Sequence, residues 1–153
     1  MSSLGRTLQK LWKHPWRNWW VLARAGGLTI LVRVGLSVFS LKHVRWGLRR
    51  MAMWLPRRPS ATPKDRLRAA WAARAVGRRL LPERPCLTQA LVLQYLLLRQ
   101  GDASAQLHIG VAKHDGSLRA HAWVERKGTV LIGGRTSPDK YSEFGDLHEK
   151  IDL

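Results

Sequence analysis

The chain has 153 residues, 45% of them hydrophobic, and carries a formal charge of +17. That length suits one domain with an N-terminal appendage and is enough to bury a core. A single cysteine excludes an internal disulfide and any multi-cysteine zinc site, and it points to a reducing compartment.

The opening Met1-Ser2-Ser3-Leu4-Gly5-Arg6 has no adjacent apolar core or small-residue cleavage site, so the expected address is the cytoplasm, with membrane association open. Charge is unevenly placed. Between Met1 and Lys64 there are thirteen Lys and Arg and no acidic residue. Such a surface attracts polyanions: acidic lipid headgroups, nucleic acid or an acidic protein. The tryptophans fall within apolar helical passages, which argues against nucleic acid.

In chain order, residues 1–55 form a basic, Trp-rich helical region. Its longest apolar passage, Trp19 to Leu41, is interrupted by Arg24 and Arg33. Nine residues apart at ~100° per residue, these arginines fall on nearly opposite sides of a helix. Central arginines oppose a membrane span. An interfacial helix, or one packed on the rest of the chain, is the expectation. Residues 56–63 are a Pro-rich linker. Residues 64–153 form the core domain. Its first helix starts with Thr62 as cap and Pro63 in the first turn, and runs to about Leu81, before Pro82. A second begins near Cys86 and stops at Gly101.

The period then changes to two. Leu107, Ile109 and Val111 alternate with Gln106, His108 and Gly110, which predicts a strand. His114-Asp115-Gly116-Ser117 is a turn, Leu118 to Glu125 a second strand, and Thr129 to Ile132 a third. Helices followed by an antiparallel meander make an α+β domain. With a three-residue turn at Arg126-Lys127-Gly128, Glu125 pairs with Thr129, Trp123 with Leu131 and His121 with Gly133. The polar tail from Arg135 to Leu153 is expected to be loop, with a short helix or a frayed end.

Cys86 and His121 are the candidates for chemistry. A free thiol is mostly protonated at neutral pH. The open N–H groups of a helix N-terminus and a nearby imidazole both favour the thiolate. Cys86, held behind Pro85 in the first turn or at the cap, has its own N–H available for an oxyanion. A lone cysteine before a leucine-rich helix also reads as a small buried hydrophobe. Thr88 and Gln89 lie in the same first turn, as candidates for an oxyanion hole or for capping and solvent contact. Trp123 is expected to pack beside His121 and wall the substrate cleft. His108, His114 and His121 lack the Cys or carboxylate partners of a metal site, and no phosphate-binding glycine loop appears. No metal and no cofactor are expected.

Three blocks carry a resemblance: Cys86-Leu87-Thr88-Gln89-Ala90-Leu91 through Leu96-Leu97-Leu98-Arg99-Gln100-Gly101, Leu107-His108-Ile109-Gly110-Val111, and Ala120-His121-Ala122-Trp123-Val124-Glu125. In order and spacing, from about Pro85 to Gly134, they resemble the transglutaminase-like cysteine protease of lasso-peptide biosynthesis, and the short length with a hydrophobic, basic N-terminal region resembles its standalone form. The resemblance implies a transglutaminase-like/papain-like core, a nucleophile helix packed on a small antiparallel sheet and preceded by N-terminal helices. It implies Cys86 as nucleophile and His121 as general base. It also implies three partners: a precursor peptide whose leader is removed, a leader-recognition protein, and an asparagine-synthetase-like, ATP-dependent lasso cyclase. Part of that family carries aspartate across the ladder from the histidine, where Gly133 stands here. A backbone carbonyl or another group, with Asp139 a candidate, would then orient the imidazole. The alternative is a catalytically inactive transglutaminase-like binding module tethered to membrane or an acidic partner.

Overall fold

Helices precede an antiparallel sheet in the computed structural model, which describes residues 15–55, 62–81, 85–114, 117–134 and 142–143. The helices are α1 (Pro15–Val38), α2 (Leu41–Trp54), α3 (Pro63–Leu80) and α4 (Cys86–Arg99). The strands are β1 (Ala105–His114), β2 (Ser117–Arg126), β3 (Thr129–Ile132) and β4 (Ser142–Glu143), ordered β3-β2-β1-β4. The α+β expectation holds.

Helix α4 organises the molecule. Its sequence is apolar all round, which suits a helix covered on every side. Leu91, Val92, Leu93 and Leu97 are at most 1% exposed. The helix touches α1, α2 and α3 on one side and β1, β2 and β3 on the other. It ends as expected: Gly101 takes φ +80°, the Gly101 N–H donates to the Leu98 carbonyl at 3.0 Å, and the Asp102 N–H donates to that of Leu97 at 2.9 Å. This pair of bonds satisfies carbonyls that the helix end would leave open.

Helix α3 begins in a capping box. The Thr62 hydroxyl accepts from the Asp65 N–H at 3.3 Å, and the Asp65 carboxylate accepts from the Thr62 N–H at 3.2 Å. Its inner face is made of small residues, Ala69, Ala70, Ala72, Ala73 and Gly77, so α1 and α4 approach closely. The passage Trp19–Val38 is long and apolar enough to cross a membrane by length and composition. One face of it, with Ala25, Leu28, Thr29 and Val32, is buried against α3 and α4.

The sheet departs from expectation in its last hairpin. The turn has two residues, Lys127 (φ +47°) and Gly128 (φ +75°), and Arg126 pairs with Thr129 and Glu125 with Val130. A bulge then makes Leu131 the extra residue, and Val124 pairs with Ile132. The pairing of Trp123 with Leu131 and of His121 with Gly133 is therefore corrected: past the bulge, Gly133 lies against Trp123. In the tail, Ser142 and Glu143 pair with Val111 and Gly110 on the far edge of β1, a strand where loop or helix was expected.

Candidate active site

Cys86 is the first residue of α4, following Pro85, whose φ of −77° and ψ of −5° are already helical. No side chain among the described residues caps this end. The first-turn N–H groups have no intrahelical acceptor, so they point outward beside the half-buried thiol.

His121 sits on β2 beyond the point where β3 stops pairing. There Gly133 and Gly134, at φ +108° and +102°, turn the chain, and the Gly133 carbonyl meets the imidazole Nε2 at 2.6 Å. A carbonyl only accepts, so Nε2 carries the proton and Nδ1 carries the lone pair of the neutral ring. The backbone supplies a contact on the ring here, and Gly133 leaves no room for a side chain beside Trp123. A Cβ on Gly133 would press on the Trp123 Cβ, lie 2.9 Å from its Cα and 3.1 Å from the Ala122 carbonyl oxygen. On this backbone no side chain fits at Gly133, and its contact with His121 is made through the carbonyl.

Cys86 and His121 line one cleft of about 1340 Å³ between α3, α4 and the β2–β3 hairpin. Gln89, Glu125, Leu131, Gly133 and Gly134 also line it, together with Arg74 and Arg78 from α3. The Arg74 guanidinium reaches the Leu131 carbonyl at 3.5 Å, tying helix to hairpin across the cleft. Sequence reasoning missed both arginines. Their spacing of four puts them on one face, but nothing in an Ala- and Arg-rich helix marks which face meets the cysteine.

The remaining candidates divide. Gln89 faces the cleft, but its amide donates to the Arg74 carbonyl at 3.4 Å and its stem fills the space over Gly77. It joins α3 to α4. Thr88 is 3% exposed and is not among the described residues of the cleft wall. Trp123 does pack beside His121, with ring centroids 6.4 Å apart and planes at 19°, and it stacks on His108 at 5.6 Å and 12°. It is fully buried, so it supports the imidazole from within and does not wall the cleft. Asp139 lies outside the described residues. Among those residues no three His, Cys, Asp or Glu side chains cluster to hold a metal.

Fold and site together define an α+β scaffold that brings a helix-borne thiol and a strand-borne imidazole to one cleft. The profile of the transglutaminase-like superfamily matches residues 30–147, more than half of the chain, and the chain belongs to that superfamily. No curated protein and no solved structure gives a match.

Proposed function

We propose that the protein is a cysteine peptidase that removes the leader from a ribosomally made lasso precursor peptide. It would act with a leader-recognition protein and an ATP-dependent macrolactam cyclase. The observation that carries this reading is the shared cleft of Cys86 and His121, in a chain whose sequence blocks resemble that protease. In the proposed reaction His121 Nδ1 takes the Cys86 proton, and Sγ attacks the scissile carbonyl beside the open N–H groups of α4. The C–N bond breaks as the imidazolium returns its proton to the leaving amine, and a water activated by His121 hydrolyses the thioester. The alternative is an inactive binding module held to membrane or an acidic partner through the basic N-terminal half, with Gly133 in place of an acid as its hint of lost catalysis. The contact of the Gly133 carbonyl with His121 Nε2 favours the catalytic reading, because it gives the imidazole a backbone partner.

The test combines the purified chain with precursor and leader-recognition protein and follows leader release by mass spectrometry. Cys86→Ala and His121→Ala should each abolish release. Normal cleavage by Cys86→Ala would overturn the assignment.

A further inference from the structure

We propose that the outward face of α1 and α2 is a docking surface for an anionic lipid membrane, on which the protein lies without spanning it. Helix α1 has two apolar faces. Ala25, Leu28, Thr29 and Val32 are buried against α3 and α4, while Trp19, Trp20, Ile30, Leu31, Val34 and Val38 are all more than half exposed. Only 22% of the Trp19–Val38 window is buried. An exposed helix face is ordinarily polar, so a continuous apolar stripe there calls for a cover.

The position of the charges identifies that cover. At ~100° per residue the buried and exposed stripes of α1 lie on opposite sides, and Arg24 and Arg33 fall on the two flanks between them. If the stripe sinks into the acyl boundary, both guanidinium groups arrive at headgroup level. Helix α2 also turns apolar side chains outward, here with cations among them. Leu48 and Ala52 face inward, and Trp46, Met53 and Trp54 face outward with Arg49 and Arg50. The Arg50 guanidinium lies 5.6 Å from the Trp46 ring centroid and 5.8 Å from that of Trp54. Indole rings with neighbouring cations suit the boundary between hydrocarbon and phosphate. No acidic residue precedes Asp65 to oppose an anionic surface.

Other covers fit less well. Aliphatic residues such as Ile30, Leu31, Val34 and Val38 offer no ring for stacking on bases. A second copy would bring a like-charged face against this one. A span would carry α3, packed on α1 and bearing Arg74, Arg78 and Arg79, into hydrocarbon. Docking through this face leaves the Cys86 cleft accessible, since none of its described wall residues belongs to α1 or α2.

The experiment is flotation of the full chain with phosphatidylcholine vesicles, with and without one quarter phosphatidylglycerol. The chain should float with the anionic vesicles only, and raising the salt should release it. Arg49→Glu with Arg50→Glu should weaken binding by at least about fivefold per residue. Trp46→Ser with Trp54→Ser should weaken it about tenfold or more. Leu31→Gln with Val34→Gln should do the same, and circular dichroism checks that each variant keeps its helices. Failure to float, equal flotation with both vesicles, or wild-type binding by the variants would overturn the proposal. Resistance to sodium carbonate extraction would overturn it in favour of a span. A dimer in sedimentation that Leu31→Gln with Val34→Gln dissolves would assign the face to a second copy.

Discussion

At Gly133 one residue meets two demands. Its φ of +108° belongs to a region that side chains rarely enter, and the place a Cβ would take is filled by the Trp123 Cβ and Cα. Gly133→Ala should therefore lower stability by about 1–3 kcal/mol in denaturant melts. It should also move the carbonyl that holds the imidazole Nε2 of His121. Iodoacetamide alkylation of Cys86 separates these effects. Wild type should react faster than an unfolded thiol at neutral pH. His121→Gln should remove that advantage, and Gly133→Ala should reduce it well below the melting temperature. Leu93→Ala, a deletion in the buried face of α4, should cost about 2–5 kcal/mol yet leave the alkylation rate near wild type. Equal rates for Gly133→Ala and wild type would leave the glycine with a packing role only.

Between elements, Asp102 and the contact of Gly77 with Gln89 hold the cleft walls together. Asp102 follows the end of α4 and meets Arg66 of α3 at 3.6 Å and the Nε of Arg126 at the end of β2. Burial alone would raise its carboxyl pKa, but hydrogen bonds from Ser104 and Arg126 and the Arg126 charge hold it below the ordinary carboxylate value. Folded Asp102 thus binds its proton less tightly than the unfolded chain does. Its stabilisation is complete above the unfolded value near pH ~4 and is lost as the pH falls through the folded one. Asp102→Asn should cost about 1–3 kcal/mol at pH 7 and flatten the fall in melting temperature below about pH 4. At the α3–α4 contact, a Cβ on Gly77 would press on the Gln89 stem and lie 2.6 Å from its amide nitrogen. Gly77→Ala should destabilise the wild type, yet stabilise a Gln89→Ala background by about 1 kcal/mol through helix propensity. These contacts also mark what was legible in the sequence. Helix ends were, because Thr62, Pro63 and Gly101 act through local bonds. The β2–β3 register was not, because the unbroken apolar run Val130-Leu131-Ile132 has no alternation to set a face or reveal a bulge. Cys86 and His121 stood out as residue types, whereas the Gly133 carbonyl became visible only once the bulge was placed.

For the molecule as a whole, charge sets the dominant long-range term. With 27 Lys and Arg against 10 Asp and Glu, repulsion among like charges acts on the folded state over distances that a few local pairs do not cover. The buried carboxylate of Asp102 is screened little by salt, while the net positive charge, carried by many exposed arginines on α1, α2 and α3, is screened strongly. Added sodium chloride should therefore raise the melting temperature steadily as the Debye length falls from about 30 Å at 0.01 M to about 10 Å at 0.1 M. Scanning calorimetry over that range checks it. Arg49→Glu with Arg50→Glu should start from a higher melting temperature at low salt and gain less from screening, because it reduces the repulsion without touching a buried contact. A melting temperature that falls with salt would mean that local ion pairs outweigh the net charge. The basic helices would then owe their density of arginines to internal pairing, and their attraction for anionic surfaces would be correspondingly weaker.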